Sequence, residues 1–263
     1  MKYVLITGSA SGIGLATKEK FISKNYQVIG LDIVQQENTD NFQSFKVDIS
    51  NINDLLKVQN YLIDHNIKLE GIINIAGIHK MASFVEGDFD KIKKLLDINL
   101  TGTMAVNHTF HPFLEEKGRI IIVTSVVASL DPLPFNGLYS VSKTALDSYA
   151  QGLRQELNLL GQTVITIRPG SIKTPLSSGS LTDTEKLATE TKLYQNHASK
   201  FLKITKKFMG KVVEPEKVAK IIYKAYHHKH PKLIYKINPN FGLTLLNLLP
   251  KRLQCGIIKF ILK

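Results

Sequence analysis

With 263 residues, 43% of them hydrophobic, the chain can form one large α/β domain with a sizeable core, or two small ones. Its single cysteine, Cys255, excludes an intrachain disulfide framework and a cysteine metal cluster, and fits a reducing cytoplasm. The net charge of +12 belongs to the last quarter, where residues 198–263 hold 15 Lys/Arg against Glu214 and Glu216; residues 1–197 hold 19 Lys/Arg and 20 Asp/Glu.

In chain order, residues 3–7 are a short β-rich apolar run that ends at a Gly/Ser turn, which predicts a buried strand. The segment before Gly8 is too short for a signal peptide. A helix is expected over 14–23, a second strand over 26–31, a short third strand over 45–47 and a helix over 51–65. A fourth strand over 71–75, a long helical stretch over 89–110 and a fifth strand over 119–124 follow. Residues 139–160 read as a helix and 163–167 as a sixth strand. A Ser/Thr/Lys-rich insertion over 171–211, a helix over 215–227 and a last strand over 233–236 complete the pattern. Strands that alternate with helices imply crossover connections and a parallel sheet. Continuous rather than alternating apolar strands suit a sheet covered on both faces. We expect a domain over 1–237 and a basic, apolar extension over 238–263. No run of 18 apolar residues occurs, so no membrane-spanning helix is expected.

The first strand runs into Thr7-Gly8-Ser9-Ala10-Ser11-Gly12-Ile13-Gly14 and then a helix. Glycines there let the backbone approach a pyrophosphate, and the helix start supplies free N–H groups and the positive end of a dipole. The spacing is Gly-x-x-x-Gly-x-Gly rather than Gly-x-Gly-x-x-Gly. Asp32 closes the second strand 18 residues after Gly14. A carboxylate there accepts from an adenosine ribose and repels a 2′-phosphate. Ser11 and Ile33 are neutral where a cation could receive that phosphate, so NAD is expected over NADP. Asp48, with Ile49 beside it, follows the third strand, where it can meet the adenine edge.

Tyr139 and Lys143 are four residues apart, which places them on one helix face. A nearby ammonium stabilises a phenolate, so the pair can exchange a proton near neutral pH.

These residues resemble the short-chain dehydrogenase/reductase family over about residues 3–175. The resemblance rests on the loop 7–14, Asp32, Asp48, Asn74-Ile75-Ala76-Gly77, Asn99, Ser125, Tyr139, Lys143 and Pro169-Gly170 in that order. Ile75 departs from a second Asn that is common in the family. The resemblance implies a Rossmann-type doubly wound parallel sheet of about seven strands. It also implies that Tyr139 exchanges a proton with the substrate oxygen, and that Lys143 lowers the Tyr139 pKa and binds the nicotinamide ribose. Ser125 would hold the substrate oxygen, and Asn99 a water of the proton relay. Asn74, Ala76, Gly77, Pro169, Gly170, Ile172 and Thr174 would complete the cofactor site. Thr124 is the rival of Ser125; it lies 15 residues before Tyr139, against 14 for Ser125, and the family spacing favours Ser125. Hydride passes directly, so no metal is expected. Pairing through the helices 89–110 and 139–160 would give a dimer or tetramer.

Val126, Val127, Leu130, Leu133, Pro134 and Phe135 are apolar, and residues 125–138 contain no Arg or Lys. The substrate is therefore expected to be an apolar, lipid-like or steroid-like secondary alcohol or ketone. His79, His108 and His111 are too scattered for a metal site and read as core or surface histidines. Lys200, Lys203, Lys206, Lys207, Lys211, Lys217, Lys220 and Lys224 recur on helical stretches. Beyond them Phe241, Leu245, Leu248, Leu249, Leu253, Ile257, Phe260 and Ile261 recur near helical spacing among Lys251, Arg252, Lys259 and Lys263. Such a tail either packs on the domain or a partner subunit, or lies on an anionic membrane as a peripheral contact. No stacking aromatics interleave with the charges, which argues against nucleic acid. The leading expectation is a cytoplasmic NAD-dependent alcohol dehydrogenase/ketone reductase. The alternatives are a non-catalytic nicotinamide-binding sensor or scaffold, an NADPH-dependent carbonyl reductase, and a dehydratase or epimerase.

Overall fold

The computed structural model describes residues 1–208 and 212–263; Lys211 and the Lys207 side chain lie outside the described part. Seven strands form one parallel sheet: β1 (Tyr3–Thr7), β2 (Gln27–Asp32), β3 (Phe42–Lys46), β4 (Leu69–Asn74), β5 (Leu114–Val123), β6 (Thr163–Pro169) and β7 (Ile234–Ile237). Their order is β3-β2-β1-β4-β5-β6-β7. The chain reverses its winding direction between β1 and β4, and the C-terminal strand ends there form the crevice where ligands bind in such sheets. Val4, Leu5 and Ile6 of β1 and Ile120, Ile121 and Ile122 of β5 are fully buried, as strands covered on both faces require.

Helices α1 (Gly12–Ile22) and α8 (Pro215–His227) pack on one face of the sheet. There Phe21 meets Tyr26 and Tyr226 edge-on at 5.1 Å. Against the other face lie α2 (Ile52–Asp64), α4 (Thr103–Phe110) and α5 (Gly137–Asn158), whose Leu55, Phe110 and Leu146 join one core. α3 (Phe89–Leu96) continues into α4 through a π-helical turn, Asp97–Gly102. The long helix expected over 89–110 is thus present but carries one widened turn. β3 starts three residues earlier than expected. As an edge strand it alternates, with Phe42 and Ser44 buried and Gln43 and Phe45 half-buried, and in the sequence only Phe45 and Val47, on either side of Lys46, mark it.

The insertion forms α6 (Pro175–Glu190) and α7 (Gln195–Phe208) over the crevice. After β7, α9 (Phe241–Asn247) and α10 (Lys251–Leu262) fold back onto it. Leu262 joins Phe135, Ala198 and Phe201 in a small core, the Asp131 N–H donates to Asn247 Oδ1 at 2.7 Å, and Lys251 pairs with Asp131. The tail therefore packs on its own chain. Among the described residues no helix is long and apolar enough to cross a membrane.

Candidate active site

A cavity of about 620 Å³ opens at the C-terminal ends of β1, β4, β5 and β6, beneath α6. Gly8, Ser11, Gly12, Ile13 and Gly14 form one end of it. Gly12 has φ +51°, a left-handed conformation, and a Cβ at Gly14 would stand 1.8 Å from the Gly8 carbonyl oxygen. Ser11 caps α1 in an extended conformation without a side-chain bond, which leaves the first-turn N–H groups for an anion. This cradle, which a Cβ would fill, fits a dinucleotide pyrophosphate. Asp32 also borders it: Oδ2 accepts from the Ala10 N–H at 2.9 Å and Oδ1 from the Val34 N–H at 3.0 Å. The carboxylate is thereby fixed beside the loop, with no ion-pair partner among the described residues. Asp48 and Ile49 lie along the same wall, with Asp48 accepting from the Ser50 hydroxyl at 2.6 Å.

Asn74 and Asn99 lie behind the wall rather than on it. Asn74 is buried and its Nδ2 donates to Asn107 Oδ1 at 2.8 Å, whereas Ile75, Ala76 and Gly77 reach the cavity. Asn99 sits in the π turn, a feature that often marks functional sites. Its Oδ1 accepts from the Ile78 N–H at 2.8 Å, and its Nδ2 donates to the Ile78 carbonyl at 2.9 Å and to Ser142 Oγ at 3.1 Å. Asn99 thereby clamps the segment that follows β4 to α5. A Cβ at Gly77 would lie 3.0 Å from Asn99 Oδ1 and 3.5 Å from Lys143 Nζ, so these groups meet at one point of the wall.

Tyr139, Lys143, Leu146, Ala150, Arg154 and Leu157 form the buried stripe of α5, with the spacing of one helix face. The first two reach the cavity beside Ser125. Burial pushes the Tyr139 phenol up to about 12, opposed by a hydrogen bond with Ser125. Thr124 also borders the cavity, but its hydroxyl is committed to Asp147, to which it donates at 3.2 Å, and Asp147 in turn binds Arg168. The expectation that Lys143 lowers the Tyr139 pKa meets a different balance here. Lys143 Nζ donates to the Val123 carbonyl at 3.2 Å and lies 5.8 Å from the Tyr139 ring centre, and burial dominates both groups.

Burial brings the Lys143 ammonium down to about 8 from 10.5. Between those pH values the unfolded chain holds more protons than the folded one, so stability rises with pH. Below about pH 8 the buried charge destabilises the fold by about 3 kcal/mol. Lys143→Met is therefore expected to be more stable than the wild type at pH 7. Urea unfolding should show that advantage shrinking by about 3 kcal/mol as pH rises to 10.5; a pH-independent difference would refute the buried-charge account.

Pro169, Gly170, Ile172 and Thr174 form the far wall, where β6 leaves the sheet. Thr174 caps α6 by accepting from the Ser177 N–H, while its own N–H donates to Ser177 Oγ at 3.1 Å. The substrate half is only partly as expected. Val126 and Val127 line it, but Leu130 and Leu133 line a separate pocket of about 40 Å³ against Leu243 and Leu246. Phe135 has φ +64°, which turns its ring away onto Tyr194 and Phe201, each at 5.5 Å. Pro134 does not border the large cavity either. Leu176 and Leu181 of α6, Thr205 of α7 and Leu243 of α9 border it as well, beside the polar Ser178, Ser180 and Asn240.

Sequence reasoning missed His79. It lines the cavity with its ring 4.3 Å from that of Tyr139, and Nε2 bonds Asn136 Oδ1 at 3.0 Å. Burial brings its pKa down to about 4, so the ring is neutral at neutral pH. The available signal was its place two residues beyond Gly77, in the segment that follows the central strand β4. His108 does not line the cavity, and His111 bonds Gln162 at 2.9 Å outside it.

A family model described as short chain dehydrogenase matches residues 2–185. The NADPH-dependent 1-acyldihydroxyacetone phosphate reductase of Schizosaccharomyces pombe is 34% identical over 202 residues, which cover 73% of this chain and 68% of that protein. The 3-ketodihydrosphingosine reductase of Bacteroides thetaiotaomicron is 24% identical over 241 residues, covering 90% and 87%. Among solved structures, a short chain dehydrogenase family protein from Francisella tularensis superposes with a TM-score of 0.77 at 25% identity, covering 93% of this chain and 99% of that one.

Proposed function

We propose, because this chain belongs to the short-chain dehydrogenase/reductase family and is thus an NAD(P)-dependent oxidoreductase of alcohols and carbonyls, that it interconverts a secondary alcohol and a ketone on an apolar, lipid-like substrate. The observation that carries this is the shared cavity, with Ser125, Tyr139 and Lys143 on one wall and the glycine cradle with Asp32 at its end. The nicotinamide, when bound, exchanges hydride with the substrate carbon.

Every other part of the step falls to side chains of this chain. Tyr139, protonated at neutral pH, gives its phenolic proton to the ketone oxygen during reduction and takes it back during oxidation. The Ser125 hydroxyl donates to the same oxygen and favours the charge that develops there. Lys143 holds positive charge at the junction of Gly77 and Asn99, where it would hold the nicotinamide ribose of a bound cofactor and support proton exchange at Tyr139. Asn99 positions that junction through Ile78. Val126, Val127, Leu181 and Leu243 exclude water from the reacting carbon. Two relatives are named for the reduction of acylated or sphingoid ketones, which supports a long-chain substrate.

Asp32 supports NAD(H), since its carboxylate would repel a 2′-phosphate. The NADPH-dependent yeast relative favours the second reading, an NADPH-dependent reductase. Assaying a panel of ketones with NADH and with NADPH, followed by nicotinamide absorbance, decides between them. NADH is expected to be preferred; a strong NADPH preference overturns the Asp32 argument, and no turnover with either overturns the catalytic reading. Asp32→Asn keeps an acceptor for the Ala10 N–H while removing the charge. It is expected to raise the NADPH-to-NADH ratio of kcat/KM at least about ten-fold.

A further inference from the structure

The two C-terminal helices have an outer face that the fold does not cover. On α9 and its C-cap, Phe241, Leu245 and Leu248 share one face by their spacing and are 81%, 55% and 76% exposed. On the opposite side of the same helix Leu243 and Leu246 pack inward. α10 repeats the arrangement. Gln254, Ile258 and Leu262 pack on the protein, whereas Leu253 and Phe260 form an outward stripe, 50% and 86% exposed. Arg252, Lys259 and Lys263 fall side by side along one flank of that stripe at helical spacing, and residues 238–263 contain no Asp or Glu.

Large apolar side chains held outward by a packed inner face, with a row of cations beside them, match the interface between an anionic headgroup layer and acyl chains. A second copy docked through the same face would set these cations against one another, because that face carries no carboxylate side chain. We propose that the outer face of α9 and α10 docks on an anionic lipid bilayer. The same two helices border the substrate region: Leu243 lines the large cavity, and the α9–α10 turn is fastened to Asp131 in the loop between Ser125 and Tyr139. Docking therefore sets the cavity beside the bilayer, so that a lipid ketone enters from the membrane; this delivery step rests on the function proposed above, and the docking itself does not.

The test is sedimentation of the full chain with phosphatidylcholine vesicles containing phosphatidylserine, against phosphatidylcholine alone. The chain is expected to sediment with the anionic vesicles at low salt and to be released as salt rises, a result that needs no variant. The triple change Arg252→Gln, Lys259→Gln and Lys263→Gln is expected to weaken binding about one hundred-fold, about five-fold per charge. The change of Phe241, Leu248 and Phe260 to Ser should weaken it more than ten-fold while turnover of a water-soluble ketone is unchanged. No binding at low salt, or binding that survives both triple changes, overturns the proposal. A concentration-dependent dimer that the Ser variant dissociates, without vesicle binding, overturns it too and makes the face a contact between copies. If no ketone is turned over at all, the catalytic reading falls while the vesicle result stands on its own.

Discussion

Tyr139→Phe is expected to lower kcat by about three orders of magnitude while NADH binding changes little. The ring fills the same space in the α5 stripe, so the fold keeps its packing and loses only the hydroxyl and its bond with Ser125, about 1 kcal/mol. Without that hydroxyl no group has been placed to give the ketone oxygen a proton: Ser125 is too weak an acid, and His79, although its ring touches Tyr139, is neutral with a pKa near 4. Steady-state kinetics with calorimetric measurement of NADH affinity checks both halves. A variant with unchanged kcat would move the proton donor elsewhere. A wild type that binds NADH and turns over no carbonyl or alcohol would favour the sensor reading instead.

Gly14→Ala is expected to destabilise the fold by about 3 kcal/mol or more, and to weaken cofactor binding further still. The new Cβ would stand 1.8 Å from the Gly8 oxygen, 2.6 Å from the Gly8 carbonyl carbon and 3.2 Å from the Ser9 nitrogen. All three are backbone atoms, so no rotamer relieves the contact and the turn between β1 and α1 must open. That turn is also the cradle, so stability and affinity fall together. Gly152, in the middle of α5, is the matched control because nothing lies within 4 Å of a Cβ there. Gly152→Ala is expected to stabilise by about 0.5–1 kcal/mol through helix propensity alone. Urea unfolding of the two variants, with NADH titration of each, separates the steric cost from the general effect of adding a methyl group.

The parts of the molecule that were readable from sequence are those where one local rule decides. The Tyr139–Lys143 spacing fixes a helix face, the glycine spacing fixes a tight strand-to-helix turn, and Asp32 marks the end of a strand whose neighbours are continuous apolar runs. Parallel topology followed from alternation of strands and helices. Less readable were features set by a single backbone angle or by a distant partner. Phe135 looked like a pocket residue, but a left-handed backbone aims its ring at Phe201. Asn74 sits in a strand whose next residues reach the cavity, yet its amide is committed to Asn107. Ser125 and Thr124 differ by one position and therefore by which side of the chain they face; only the Asp147–Arg168 pair shows where Thr124 goes. Nothing in the composition of the tail indicates that Leu243 closes the cavity, because that contact joins segments more than a hundred residues from Ser125 in the sequence.

The α6–α7 excursion leaves and re-enters the body of the protein through one narrow waist. Ile172 and Val213 form a bridge at its base, with the Lys173 N–H donating to the Val213 carbonyl at 2.9 Å and the Val213 N–H to the Ser171 carbonyl at 3.1 Å. Just beyond the waist, β6 and β7 are paired, with Pro169 opposite Ile237. A loop whose ends are pinned this way can be lengthened or shortened at an entropic cost that grows only with the logarithm of its length. The sheet, the cradle and Tyr139 all lie outside it. The segment between these pins carries the α6 and α7 side chains that border the cavity, so a change in its length reshapes that wall while the sheet and Tyr139 keep their places.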